Sequence, residues 1–261
     1  MTKIRFTVSY DGTDFCGWQK QKHGEIKSVG HTIEEAIEKV FAEKISLFAS
    51  GRTDAGVHAL NQVCHFTTQR EVKPGTKWDI CWALNAHLPP SIVVKKAWVA
   101  PEEFHATISA THKTYRYLIV NQPRPSAHMR RHAEWIRKPV NIEHLKASSE
   151  FIKGIHDFKS FQSVGTPVNT TVREVHKADW EWRRPGVLQF TITGSGFLKQ
   201  MVRNIVGTSL MLEQKGLDPS KMQEILAAQD RMKAGPPAPP QGLYLMRVYY
   251  PQDLDNGCLE L

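Results

Sequence analysis

Ile45-Ser46-Leu47-Phe48-Ala49, Ser50-Gly51-Arg52-Thr53-Asp54-Ala55-Gly56-Val57-His58 and, after a short gap, Gln62-Val63-Cys64-His65-Phe66-Thr67 form the stretch on which the reading of the fold turns. The first and last runs are apolar enough, and short enough, to predict two buried strands. The polar run between them is then a loop fixed by a sheet, with Gly51 and Gly56 supplying the backbone angles of a close turn. A carboxylate, Asp54, stands in that loop two positions after Arg52. Two readings follow. The side chain caps nearby backbone N–H groups, as Asp does in turns, or it is a nucleophile or acid/base group held out on a rigid support.

Working outward, Ile4, Phe6, Val8 and Tyr10 alternate with Lys3, Arg5, Thr7 and Ser9, which predicts an opening strand with one buried face. The polar, aromatic-bearing segment Tyr10 to Gln21 reads as a loop. Thr32, with Glu35 three residues on, predicts a capped helix whose stripe is Ile33, Ile37, Val40 and Phe41. A second helix is expected near Trp78–Ala86, and strands over Ile92–Trp98 and Thr114–Val120. Residues 121–132, with two prolines and three arginines, read as a basic linker. Beyond it, helices are expected near Ile142–Ile152, Phe197–Leu212 and Pro219–Ala228. Strands are expected near Val172–Trp182, Val187–Thr193 and Leu243–Tyr249, with Ala234–Pro240 a stiff loop and Pro251–Leu261 unassigned. Mixed strands and helices without a βαβ rhythm predict the α+β class in two halves, 1–120 and 133–261.

The chain of 261 residues is 41% hydrophobic, enough for a substantial core. It carries 34 Lys and Arg against 26 Asp and Glu, a formal charge of +8. That balance fits either a solvated surface or a polyanionic partner, most simply nucleic acid. The 4 cysteines lack CxxC spacing, which argues against a zinc ribbon or a disulfide framework and suits a reducing cytoplasm. The histidines form no metal-binding pattern. Neither a secretory signal nor a membrane-spanning run is visible.

Three further features bear on chemistry. On the helix after Gly196, Leu198, Met201, Val202, Ile205 and Val206 share a face, and Arg203 falls roughly 140° from its centre. Arg203 is then a solvated side chain or one that reaches a phosphate or carboxylate. In Lys113-Thr114-Tyr115-Arg116-Tyr117, the two tyrosines project from one strand face. They serve sheet packing or a stacking platform for a base, with Lys113 and Arg116 near phosphates. His105, on a loop, is structural or catalytic. Together with the Asp54 loop and the basic linker, these features suggest an enzyme acting on RNA through a carboxylate.

In this order along the chain, the motifs resemble the TruA family of tRNA pseudouridine synthases. Tyr10-Asp11-Gly12-Thr13 through Gly17-Trp18-Gln19-Lys20-Gln21 matches the family's opening signature, and Gly51 to Ala59 its active-site loop. Phe104-His105-Ala106 with Ser109-Ala110-Thr111, then Lys113 to Tyr117, matches the middle motif. Gly196-Phe197-Leu198 with Met201 to Gly207 matches the late motif, and Gly242-Leu243-Tyr244-Leu245 the closing strand. Thr107 stands where the family usually has an arginine, while Gly154 to Phe161 keeps the family's Asp-Phe-x-Ser-Phe core.

The resemblance implies isomerisation of uridine to pseudouridine at positions 38, 39 and 40 of the tRNA anticodon stem-loop, without cofactor or metal. It implies two RRM-like halves joined in one extended, largely antiparallel sheet with a central cleft, and a homodimer that binds tRNA. It makes Asp54 the nucleophile or base, Arg203 its salt-bridge partner, and Tyr115 the stacking partner of a flipped-out uracil. Arg52, His105, Lys113 and Gln19 become RNA contacts. Two rivals use the same residues differently: an RNA N-glycosidase would release free uracil, and a binding module would not need Asp54.

Overall fold

The computed structural model describes residues 1–19, 27–75, 78–165 and 168–261. The chain divides into two compact units, Met1–Thr111 with Leu245–Leu261, and His112–Tyr244. Residues 121–132, expected to be a linker, lie within the second unit.

The first unit opens with β1 (Thr2–Tyr10), α1 (Val29–Phe41), β2 (Phe48–Ala49), β3 (His58–Thr68), α2 (Ile80–Asn85) and β4 (Ile92–Val99). The second holds β5 (His112–Asn121), β6 (Glu134–Ile136), α3 (Ile142–Glu150), β7 (Gly154–Asp157), β8 (Val172–Arg184), β9 (Val187–Gly194), α4 (Met201–Gln214) and α5 (Lys221–Ala227). β10 (Leu243–Tyr249) then leads back to the first unit, which ends with α6 (Gln252–Asn256) and β11 (Leu259–Glu260).

In the first unit the strands run β11-β4-β1-β3. β1 pairs antiparallel with β3, Phe6 opposite Cys64, and with β4, Phe6 opposite Ala97. The alternation expected in β1 holds: Ile4, Phe6, Val8 and Tyr10 are buried. Arg5, expected on the polar side, is also buried. Its guanidinium lies 4.8 Å from the Tyr250 ring centre and 5.0 Å from that of Phe104. It also meets Asp255 at 2.6 Å, so the unassigned C-terminal segment covers it.

Helix α1 begins earlier than Thr32. Ser28 is its N-cap and accepts from the His31 N–H at 3.3 Å, while the Thr32 hydroxyl donates to the Ser28 carbonyl. Val29, Ile33, Ala36, Ile37 and Phe41 are buried, and Val40 is half-buried. The strand expected over Ile45–Ala49 shrinks to Phe48–Ala49. The ladder with β3 holds only where Phe48 meets His65 and Ala49 meets Cys64. Ile45, Ser46 and Leu47 approach without pairing, and Phe48 is 44% exposed rather than buried.

In the second unit the order is β5-β9-β8-β7, antiparallel throughout, with β6 added parallel on β5. Tyr115, Tyr117, Ile119, Leu188, Phe190, Ile192 and Trp180 fill its core together with the buried α4. Each unit thus joins a largely antiparallel sheet to helices, the α+β class that the sequence predicts. Among the described residues, no helix is long and apolar enough to cross a membrane.

Candidate active site

The Asp54 loop is fixed from both ends. At its start, the Ser50 N–H donates to the Val63 carbonyl at 2.8 Å, and the Ser50 hydroxyl bonds the Gln62 side chain. The Gln62 amide in turn donates to the Gly51 carbonyl at 2.7 Å. Gln62 is fully buried on β3, a polar side chain held inside because it ties the loop to its strand. At the loop's end the chain turns back: the Val57 N–H donates to the Asp54 carbonyl at 3.2 Å, and Gly56 takes φ +76°. Gly56 therefore has the conformational role that the sequence reading gave it, whereas Gly51 is not among the residues with positive φ.

The opening segment braces the loop from another side. Thr53 is buried, its hydroxyl 2.8 Å from the Tyr10 hydroxyl and its carbonyl accepting the Trp18 N–H at 3.0 Å. The Gly12 N–H donates to Nδ1 of buried His58 at 3.1 Å. A β-carbon on Gly12 would stand 2.0 Å from the Val57 carbonyl oxygen, so only glycine allows this approach. Trp18 and Gly17 are bonded in turn by the first N–H groups of α1, Gly30 and Val29, each at 3.0 Å. The result is a half-buried Asp54 on a loop whose neighbours cannot drift, with Arg52 and Ala55 exposed beside it. Gln19 is exposed, and Lys20 and Gln21 lie outside the described residues.

The Phe104-His105-Ala106 motif folds beside β2 and β3. Phe104 is fully buried. His105 is half-buried, and its Nδ1 accepts the N–H groups of Thr107 and Ile108, each at 3.2 Å. Its ring packs 4.7 Å from His65 and 5.1 Å from Phe48, centre to centre. Thr107, at the position where an arginine was expected, donates to the Ala49 carbonyl at 2.6 Å and so ties this segment to the strand that feeds the loop. His65 accepts the Ala106 N–H at Nδ1, and burial, then the nearby His105, lowers its pKa to about 4.

In the second unit, strand register places Lys113, Tyr115 and Tyr117 on one face of β5. Tyr115 is buried, its ring edge-on to Phe197 at 5.2 Å and 84°. Tyr117 is fully buried, with its hydroxyl 2.9 Å from Glu134 and 2.7 Å from the Pro239 carbonyl. Arg116 points to the opposite face, its guanidinium 4.7 Å from the centre of the Tyr244 ring.

Arg203 is buried at 9% exposure, not solvated. Its Nε donates to the Ala238 carbonyl at 2.7 Å, and the Ala238 N–H donates back to the Arg203 carbonyl at 2.9 Å. Helical periodicity put Arg203 off the apolar stripe, but the Ala234–Pro240 segment closes over that side of α4, so a second face is covered as well. The site residues fall in two groups: Asp54, Arg52, Gln19 and His105 in the first unit, and Lys113, Tyr115 and Arg203 in the second. Sequence reasoning missed the supports, Gln62, His58, Thr53 and Tyr10. The one signal for Gln62 was an amide within a run of inward-facing strand residues.

A family model described as tRNA pseudouridine synthase matches residues 7–107 and 148–251, which include Asp54 and Arg203. The chain is 78% identical over 260 residues to a tRNA pseudouridine synthase A of Bdellovibrio bacteriovorus, covering 100% of this chain and 99% of that one. It is 42% identical over 250 residues to the protein of that name from Ruminiclostridium cellulolyticum, covering 96% and 100%. With the protein of that name from Bacillus subtilis, identity is 39% over 254 residues, covering 95% and 99%. These matches span both units and the motifs around which the Asp54 loop is built, and the chain belongs to the TruA family of tRNA pseudouridine synthases, which are isomerases.

Proposed function

We propose that this enzyme converts uridine to pseudouridine at positions 38, 39 and 40 of the tRNA anticodon stem-loop, with Asp54 as nucleophile or base. The observation that carries the reading is the half-buried Asp54 carboxylate on a loop clamped from outside by Gln62, Tyr10, Trp18 and Gly12. A turn needing only a capping aspartate would not require four external supports. A group that must meet a sugar carbon in one geometry does.

The reaction breaks the bond from C1′ to N1 and forms one from C1′ to C5. The C5 hydrogen leaves to water and N1 gains one, so the product is an isomer and no cofactor is consumed. Asp54 acts as a nucleophile or as the base that starts elimination at the ribose. Because the stem positions are paired, the uracil must leave the stack, and Tyr115 gives it an aromatic partner. Arg203 serves as the cation that pairs with the carboxylate and orients it. Arg52, His105, Lys113 and Gln19 contact RNA, and the net charge of +8 favours its backbone. A cytoplasmic homodimer is the assembly that the family resemblance supports.

The test is tritium release from tRNA carrying [5-³H]uridine. The wild type should release tritium to water without free uracil. Asp54→Asn should lose at least about 10³-fold in rate while still binding tRNA. Labelled free uracil would instead identify a glycosidase, and wild-type turnover by Asp54→Asn would remove Asp54 from the chemistry.

A further inference from the structure

Among the described residues, one face of the second unit carries two cations with no anion between them. In β5, Lys113 lies opposite Gly194 of β9, and Gly194 lies opposite Val175 of β8. Arg173, two residues before Val175, shares that residue's face. Lys113, Tyr115 and Arg173 therefore project to the same side, and Glu174, the nearest carboxylate in sequence, projects to the other. There it pairs with His176 at 3.4 Å.

The strand between the two cations ends in Gly194-Ser195-Gly196, which bears no bulky side chain. A β-carbon on Gly196 would lie 3.6 Å from Arg173 Nε, so the guanidinium borders this bared backbone. Nη1 of Arg173 is anchored, donating to the carbonyls of Thr170 at 2.9 Å and Val172 at 2.6 Å. That anchoring fixes the plane of the fork and leaves Nε and Nη2 without a hydrogen bond among the described residues. The Lys113 ammonium likewise has no hydrogen bond or ion pair among the described residues. Both groups are half-buried.

Bringing like charges together in partial burial is unfavourable without a compensating anion. Both groups show that cost: burial, then Arg173, lowers the pKa of Lys113, and burial lowers that of Arg173. Beside Gly194 sits Phe197, which follows the glycine turn and meets the Tyr115 ring edge-on at 5.2 Å. A fixed planar fork beside a mobile ammonium suits a tetrahedral anion with several acceptor oxygens.

We propose that Lys113 and Arg173 form a clamp for one backbone phosphate of the RNA substrate, next to the Tyr115 platform. This rests on the reading of Tyr115 as the partner of the target base. The clamp anchors the sugar–phosphate backbone at the nucleotide whose base leaves the stack, and so fixes its register. Arg173 is thus a positioning residue of the reaction, beyond those read from the sequence.

The test is binding of an unmodified anticodon stem-loop RNA to the full-length protein across a salt series. It compares wild type, Arg173→Gln, Lys113→Gln and the double variant, with thermal unfolding of each protein alone. Each single variant should bind about tenfold more weakly. Each should also lower the slope of log affinity against log salt by roughly 0.7, one phosphate's worth. The double variant should bind more tightly than two independent losses would allow, because both side chains hold one anion. Free Lys113→Gln should melt no lower than wild type, since it relieves repulsion, whereas Arg173→Gln also gives up two hydrogen bonds to backbone carbonyls and is judged by its salt slope. An unchanged affinity and slope in both single variants would overturn the clamp. So would a lowered affinity accompanied by a lowered melting temperature and an unchanged slope, which would mark the pair as structural. The readout is binding, so it stands apart from the Asp54→Asn result: loss of the Asp54 assignment would leave it intact, and loss of the clamp would leave Asp54 intact.

Discussion

His65 shows how closely the surroundings of the loop are set. Its ring is buried, stacked on Phe48 at 5.0 Å, and its Nδ1 takes the Ala106 N–H at 3.1 Å. A protonated Nδ1 could not accept that bond, and burial with His105 nearby holds the pKa down to about 4. In the unfolded chain the group titrates near 6.5. Between those values the unfolded state binds the proton and the folded state does not, so stability falls as pH drops from about 6.5 to about 4. The whole effect is on the order of 3 kcal/mol. Urea unfolding at pH 7.5 and pH 5 should show most of the loss in the wild type. His65→Asn, whose side-chain oxygen can still accept the Ala106 N–H, should show a visibly flatter pH dependence. An equal pH dependence in the two proteins would remove His65 as its source.

Among the elements, α1 links helix chemistry to the loop. Its N-cap is Ser28, and the next two N–H groups, Val29 and Gly30, bond Gly17 and Trp18 directly behind Thr53. Ser28→Ala should therefore cost about 1 kcal/mol of stability and loosen residues 17–18. Denaturant unfolding, with hydrogen exchange at the Trp18 amide, would check both; unchanged exchange there would disconnect the cap from the loop. The sequence signal here misled because Thr32 and Glu35 have the spacing of a capping box, and spacing alone does not show which hydroxyl reaches a free N–H. β1, β5, β9 and β10 were legible because each alternates apolar and polar residues, or is apolar throughout, over at least seven positions. β2 was not, since two paired residues carry no periodicity. The place of Asp54 on a loop between two strands was legible from the apolar runs that flank it. The buried state of Arg203 was not, because the segment covering it lies some thirty residues away, outside any helical window.

For the molecule as a whole, the chain order matters as much as the elements. The first unit takes its last part from the C-terminus, where Asp255 meets Arg5 at 2.6 Å, Tyr250 donates to the Ala106 carbonyl at 2.7 Å, and β11 pairs with β4. Arg5 is buried among three aromatic rings, so removing its carboxylate leaves a desolvated cation with fewer partners. Asp255→Ala should cost about 1–2 kcal/mol; the partial exposure of Asp255, at 40%, keeps the figure below that of a sealed pair. Equilibrium urea unfolding measures it, and wild-type stability would mean that water replaces the carboxylate at no cost. The same arrangement bears on synthesis at the ribosome. The second unit, one uninterrupted segment from His112 to Tyr244, is complete before the chain ends. The unit that carries Asp54, although it is started first, also needs residues 245–261, which are made after the whole of the second unit. A nascent chain that has not yet reached residues 245–261 therefore lacks a finished Asp54 unit, whatever the state of the segment that precedes them.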